Sequence, residues 1–363
     1  MSIRAARFLG DYLRTDPGLP EEEVVLRVAG EEVEGTFYPP PGRGPAPAWV
    51  VLHGLTVPGR RHASLLRFVR ALRAAGNAVL VPDVPRWRAL VVDSAAARET
   101  IEGGAAYLAG RPEARPGGVS VVGFSMGATM ALVAAADPRV RSVVRTVVGF
   151  GGYCDMQHTM RCMCTGEYEW EGRVRRMHPD PYGRWIVAGN FLTGVPEYHG
   201  MGAVAEGLRT LAIDAGRRGV DAGDPVYDVL RASIRRTLAP DEQEVWDLLA
   251  PPAARPVVDL DAGRHLARRV ADAALAADPG LDPGPVLPAL RTRVVLAHGR
   301  ADRLIPYTET LRMRRALPAH TRPSATVSHL FAHSTGSGGL DPMRYGVEVF
   351  RFFRLLGRAL APR

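Results

Sequence analysis

The residues of greatest chemical promise are Gly123-Phe124-Ser125-Met126-Gly127. A serine hydroxyl is a weak nucleophile until a base takes its proton and hydrogen-bond donors await the charge that forms on the attacked carbonyl. The setting of this pentapeptide supplies the donors. It directly follows the apolar run Val119–Val122 and opens a helical stretch to Ala136, where Asp137-Pro138 forbids continuation. A sharp turn there pushes the Ser125 hydroxyl out of the sheet and places it at a helix N-terminus, whose unpaired N–H groups favour an oxyanion. Side chains at 123 and 127 would clash in such a turn. In a chain with 39 glycines the pentapeptide alone carries little weight, and the strand-then-helix context makes it specific.

Three further stretches extend the pattern. Val51-Leu52-His53-Gly54-Leu55 follows an apolar strand. Ala297-His298-Gly299-Arg300-Ala301-Asp302-Arg303-Leu304-Ile305-Pro306 places an acid after a late strand. A histidine, His329 or His333, follows the last strand. Together these residues resemble the α/β-hydrolase superfamily, as a serine esterase- or lipase-like member with a large cap insertion. The resemblance runs from about Glu32 to Gly357, the insertion excepted. It implies Ser125 as nucleophile, Asp302 as the acid that orients the base, and the backbone N–H groups of Leu55 and Met126 as the oxyanion hole. The order Ser, Asp, His is the family's order.

The base is decided by where the last strand ends. Ala325–Leu330 favours β structure throughout, which predicts His329 inside the strand. Phe331–Gly336 passes into a Ser/Thr/Gly-rich loop, where a triad histidine can reach over the sheet edge, so His333 is the expected base. A rival acid is Asp155, just beyond the strand ending near Val148. Asp83 reads as a loop-fixing acid and His53 as a shaper of the oxyanion loop. Cys154, His158, Cys162 and Cys164 could ligate a metal, but their spacing lacks the Cys-x2–4-Cys pairs of structural zinc. No metal and no cofactor are expected.

The elements that position these residues follow from short apolar runs alternating with helical stretches. Val24–Val28 and Glu32–Tyr38 alternate in period two and read as antiparallel strands. Trp49–Leu52, Ala78–Val81, Val119–Val122, Arg141–Val148, Arg293–Ala297 and Ser324–Leu330 read as further strands. Helices are expected over His62–Ala75, Ser94–Ala109, Ser125–Ala136, Thr308–Leu317 and Met343 to about Leu360. This predicts a mainly parallel sheet flanked by helices. The rhythm stops over 150–287, where helices such as Val226–Leu238 and Asp241–Leu249 are expected. Residues 1–149 and 288–363 are thus read as an α/β-hydrolase core, and 150–287 as a largely helical cap inserted after the sixth core strand. Phe150, Tyr153, Trp170, Tyr182, Trp185 and Phe191 are candidate pocket residues or cap core.

Composition narrows the function classes. The chain has 363 residues, a net charge of +8 and no lysine, so all 46 basic residues are Arg. With abundant Ala, Gly and Pro this reads as coding bias, and no nucleic-acid-binding signature accompanies it. No apolar run is long enough for a membrane span, and Met1–Arg14 has no apolar signal core. A cytoplasmic protein with three reduced cysteines is expected. The Arg-bearing segments (Arg209, Arg217, Arg218; Arg231, Arg235, Arg236) read as solvated faces, with an anionic-substrate entrance or a homodimer surface as the alternative. The expected activity is hydrolysis of carboxylic esters of a small-molecule acyl substrate through an acyl-enzyme. Amide, peptide or lactone hydrolysis and acyl transfer are alternatives on the same triad. A non-catalytic ligand-binding homologue is the alternative from another class.

Overall fold

In the computed structural model, which describes residues 3–14, 20–253, 259–329 and 346–360, the alternating N-terminal segments form a hairpin, β1 (Glu22–Val28) and β2 (Glu31–Tyr38). Pairing of Leu26 with Val33 turns Leu26, Val28, Val33 and Phe37 to one buried face. Ala29-Gly30 closes the hairpin with both residues at positive φ, as a tight two-residue turn demands. The uninterrupted apolar runs become β3 (Ala48–Leu52), β4 (Ala78–Pro82), β5 (Val119–Phe124) and β6 (Val144–Phe150). Every residue of β3 and β4 is buried, as in strands covered on both faces. A separate hairpin joins β7 (Glu167–Trp170) to β8 (Arg173–Arg176), and β9 (Arg293–Gly299) and β10 (Ser324–Ser328) complete the set.

Eight strands form one sheet in the order β1-β2-β4-β3-β5-β6-β9-β10. The β1–β2 and β2–β4 pairs are antiparallel, and the remaining pairs are parallel. In chain order the helices are α1 (Ile3–Tyr12), α2 (Ala63–Ala74), α3 (Ser94–Ala109), α4 (Met126–Ala136), α5 (Met156–Thr165), α6 (Tyr182–Phe191), α7 (Gly202–Arg218), α8 (Asp228–Arg235), α9 (Pro240–Leu249), α10 (Leu260–Ala277), α11 (Thr308–Ala316) and α12 (Gly346–Ala359). Alternation along each strand assigns the two faces. Trp49 and Val51 of β3 pack with α1, α2 and α12; Ala48, Val50 and Leu52 pack on the side of α3 and α4.

The chain between β6 and β9 carries α5, β7, β8 and α6–α10. These elements share one continuous apolar cluster with the sheet: Leu52 and Val121 belong to the same body of contacts as Trp185, Leu208 and Leu266. The inserted stretch therefore does not enclose a core of its own.

Several boundaries differ from the sequence expectation. β6 starts at Val144, not Arg141, because Val140 and Arg141 donate back to Asp137 O and prolong the turn after α4. The expected helix Val226–Leu238 is a 3₁₀ turn over Pro225–Tyr227 followed by the short α8. β10 ends at Ser328, so His329 stands in a turn and is exposed instead of lying inside a strand. Arg231 belongs to no solvated face: it is buried. Helix α1 is an element beyond the sequence expectation, and Phe8 anchors it against Phe68 and Phe352.

Gly123 occupies the tightest point of the site-bearing turn. A Cβ there would fall 2.1 Å from Gly127 O, a backbone atom with nowhere to go. Gly123→Ala should therefore cost on the order of 1–3 kcal/mol or more, while Gly42→Ala, with nothing within 4 Å, should stay within about 0.5 kcal/mol of the parent. Thermal unfolding of both variants checks this, and equal melting temperatures would refute it.

Candidate active site

Ser125 stands between β5 and α4 with φ 54° and ψ −126°. For a non-glycine residue this is a strained backbone, of a kind that persists only where the surroundings enforce it. Two hydrogen bonds do so. The Ser125 N–H donates to Phe150 O at 2.8 Å, and its carbonyl accepts from Ala128 N–H at 2.9 Å. The neighbouring glycines are required by approach: a Cβ at Gly127 would lie 2.6 Å from His53 O, and one at Gly54 would lie 3.2 Å from the Ser125 Cβ. The elbow and the 53–55 loop thus meet backbone to backbone. Among the described residues, the N–H groups of Leu55 and Met126 donate to no protein acceptor.

His53 holds that loop. Its Nδ1 donates to Gly54 O at 2.7 Å, and its Nε2 accepts from Val84 N–H at 2.9 Å. Both ring nitrogens are therefore committed in the neutral form, and burial lowers the pKa of the ring further. Asp83, after β4, accepts from the Arg60 N–H at 3.1 Å and from the guanidinium groups of Arg60 and Arg88. Arg60 also reaches Glu23 and Glu34 on the hairpin. The loop after β3 is thereby tied to β1, β2 and β4.

Asp302 lies beyond β9 and is 4% exposed. Its Oδ1 accepts from Leu304 N–H at 2.9 Å and Ile305 N–H at 3.0 Å. His298 sits below it. Nε2 of that ring is 3.1 Å from Asp302 Oδ2 and 3.0 Å from Ile305 O, and Nδ1 is 2.7 Å from Thr310 Oγ1. The carboxylate is thus fixed by two backbone donors and a buried ring. His298 is a supporting residue that sequence reading missed; its place beside Gly299 at a strand end was the only signal for it.

His333 lies outside the described residues. His329, the other candidate, is exposed, while its preceding residue is tied to β9 by Arg300 N–H donating to Ser328 O.

The rival acid is otherwise employed. Asp155 caps α5 by accepting from His158 N–H at 2.9 Å, and it holds the His158 Nδ1 at 2.7 Å. Burial works against its ionisation, yet the bonds from His158 hold Asp155 below its usual pKa, and the Asp155 bond raises that of His158. Behind them lies Glu309 on α11, 1% exposed, accepting from the N–H groups of Cys154 and Asp155 at 3.0 Å each. Its Oε1 is 3.3 Å from Arg312 Nε. No sequence signal marked Glu309, since an acid in a first helical turn normally faces water. The cysteines are free and buried, and burial pushes the thiols up, to about 12 for Cys154 and about 11 for Cys164. They are poor nucleophiles in that state. Among the described residues no group of three or more His, Cys, Asp or Glu could hold a metal ion.

Of the candidate pocket residues, Phe150 stacks on Phe124 in the core and meets Phe68 edge to face. Tyr153 donates to Leu281 O, and Trp185 donates to Leu249 O from full burial. Trp170 lies under Arg315. Tyr182 is placed at the loop after β3, beside Thr56 and against the Val57–Gly216 contact.

No protein-family model matches the chain. A Mycobacterium tuberculosis protein named "Putative phosphoribosyl transferase" is 36% identical over 147 residues, 39% of this chain and 32% of that one, and the same match recurs in a second strain. The chain thus spans about a third of the length of the curated relatives it matches. Among solved structures, Pyrococcus horikoshii acylaminoacyl peptidase superposes with a TM-score of 0.53 at 11% identity, covering 96% of this chain and 43% of that one. A structure reported for two Rhizomucor miehei esterases superposes with a TM-score of 0.50 at 15% identity, covering 99% and 89%. At these identities the likeness is one of fold. Among the described residues no helix is long and apolar enough to cross a membrane.

The Glu309 cluster generates a prediction about stability. Burial raises the Glu309 carboxyl to about 7, against an unfolded value near roughly 4.3. Between those values the native chain holds a proton that the unfolded chain has released, so stability is full below the window and is lost as pH rises through it. The raised His158 value acts in the same direction. In urea unfolding at pH 5.5, 6.5 and 7.5, Glu309→Gln should flatten the decline with pH, by up to about 1.4 kcal/mol per unit. Parallel pH profiles for parent and variant would sink this reading.

Proposed function

From the premise that this chain has the α/β-hydrolase fold, we propose that it is a serine hydrolase cleaving carboxylic esters of small molecules through an acyl-enzyme. Ser125 Oγ attacks the carbonyl carbon and its proton passes to His333. Asp302 holds the imidazole in the productive tautomer. The Leu55 and Met126 N–H groups receive the tetrahedral oxyanion, each worth roughly 2.7–4 kcal/mol. Collapse expels the alcohol, which takes the proton from His333, and water then repeats the sequence on the acyl-enzyme. The reaction needs no cofactor.

The observation that carries this reading is the strained Ser125 elbow, set against a loop whose neighbouring N–H groups have no described protein acceptor. Asp302 supports it, because its carboxylate is buried and oriented by two backbone donors. A base bonded to so buried an acid shares its burial. His329 is exposed, which favours His333. Residues 150–287 serve as the cap, with Tyr182 at its point of contact with the oxyanion loop, and the enzyme works in the cytoplasm. The transferase name of the mycobacterial relatives is not carried over, since the match covers 32% of those proteins.

Ser125→Ala should abolish both turnover of p-nitrophenyl esters and labelling by a fluorophosphonate, with the melting temperature kept or raised, because a hydroxyl held for catalysis adds little to stability. Residual hydrolysis would remove Ser125 as nucleophile. A parent that neither labels nor cleaves any ester from acetate to octanoate would favour the non-catalytic ligand-binding reading. His333→Ala should lower kcat by roughly 10⁴-fold and His329→Ala by far less; the reverse order moves the base to His329. In the parent, kcat/KM should fall in acid with an apparent pKa near roughly 6.5.

Tyr182→Ala tests the cap. It should alter KM and shift relative kcat/KM between short and long acyl chains by roughly tenfold, with kcat for the preferred ester little changed. An unchanged acyl profile would detach Tyr182 from selectivity.

A further inference from the structure

A cavity of about 260 Å³ lies inside the inserted segment, away from Ser125. Its described lining includes Arg176, His178, Arg184 and Arg231 and no acidic residue. Two of these cations are deeply buried: Arg184 is 5% exposed and Arg231 3%. Arg184 donates from Nε to Leu249 O at 2.7 Å and from Nη1 to Met163 O at 2.9 Å. Among the described residues its Nη2 has no acceptor, and no carboxylate pairs with the guanidinium. Arg231 is held by Asp228 Oδ1 and Ala222 O at 2.6 Å each, and among the described residues its buried Nε has no hydrogen-bond partner.

A buried guanidinium without a carboxylate is costly, because carbonyl dipoles replace only part of the lost hydration. Among the described residues Asp228 is the carboxylate bonded to these two groups, and it is shared with the Ala253 N–H. Asp180 and Asp224 lie near enough to act on Arg184 and Arg231 through charge without bonding them. Proline rings at 179, 181, 251 and 252 form much of the remaining wall, with Met177 and Leu260 among the others. The cavity therefore joins a cationic end with unused donors to an apolar body. Its volume is slightly below the roughly 300–1,000 Å³ of drug-sized pockets, which suits a small ligand. A planar carboxylate matches the guanidinium fork, and the prolines favour an apolar body behind it, which inorganic phosphate lacks.

We propose that this cavity is a binding site, separate from the serine elbow, for a small carboxylate-bearing organic anion held by Arg184 and Arg231. Burial and the nearby Arg231 draw the Arg184 pKa down to about 10, so it stays cationic at neutral pH. Trp185, which lies under the Arg231 guanidinium at 5.1 Å, provides an optical report of occupancy.

The test is calorimetry and tryptophan fluorescence on the full chain carrying Ser125→Ala, in chloride-free buffer, with benzoate, benzamide and inorganic phosphate as probes. This variant cannot turn an ester over, so the outcome is independent of the hydrolase reading. Benzoate should bind one to one and change the fluorescence, and benzamide should bind roughly tenfold or more weakly for want of charge. Arg184→Met and Arg231→Gln should each weaken benzoate by roughly tenfold or more. If neither variant folds, benzoate should still raise the melting temperature of the parent where benzamide does not. Equal binding of benzoate and benzamide, or no binding of either, overturns the site. Phosphate binding tighter than benzoate overturns the carboxylate assignment. Loss of benzoate binding when the parent is labelled at Ser125 by a fluorophosphonate would place the ligand at the elbow instead.

Discussion

The contact on which the site depends is the backbone approach between the serine elbow and the loop after β3. A Cβ at Gly127 would fall 2.6 Å from His53 O, closer than any larger residue tolerates, and one at Gly54 would crowd the Ser125 Cβ at 3.2 Å. That approach accompanies the φ of 54° at Ser125 and brings the loop that carries Leu55 against the turn that carries Met126. The rest of the core acts to keep the two segments there. β5 and β3 are hydrogen-bonded neighbours, which sets the spacing. His53 uses both ring nitrogens to fix the loop's course, and the Arg60–Asp83 contact ties its far end to the sheet edge. Strain at one residue is thus offset by order in several elements.

Some of this was legible in the sequence for a physical reason. Glycines at 123 and 127 flank a serine between a β-branched run and an alanine-rich helix, and steric exclusion leaves few other uses for that spacing. β3, β4 and β5 were equally plain, since strands covered on both faces are continuously apolar. Asp302 was visible from its place after β9. His298 was not, because a histidine in a strand has the same letter whether it faces core or solvent. Glu309 and Arg184 were hidden for the same reason: charged residues in helices are usually wet. The end of β10 was misplaced: the β-favouring run was read on through His329, whereas the strand ends at Ser328, bonded to Arg300 N–H, and His329 stands in a turn.

Two ionisable systems flank the site and run in opposite senses. On the proposed mechanism the triad histidine must be neutral to accept the serine proton, so activity should increase as pH rises. Glu309, buried among the N–H groups of Cys154 and Asp155, favours the native chain while protonated, so stability decreases over an overlapping range. α11 links the two: it carries Glu309, and its Thr310 is bonded to His298 under Asp302. Loss of the Glu309 proton therefore places a charge on the helix that positions the acid's support.

The inserted segment joins this system through its packing. Because its helices share one apolar cluster with the sheet, they are set against the core and do not form an independently packed lid. Successive residues at the start of α6 divide the contacts. Tyr182 meets the loop after β3, Gly183 lies against Met163 and Leu304 of the acid's own loop, and Arg184 turns to the cavity. Arg303, next to Asp302, donates to His178 O, and Asp180 N–H donates to Arg303 O. Residues 178–184 are thus bonded to the acid loop on one side and line the cationic cavity on the other. An anion seated there would neutralise Arg184 within the segment that holds the acid loop. Selectivity over Ser125 and order at Asp302 then rest on the same short stretch of chain.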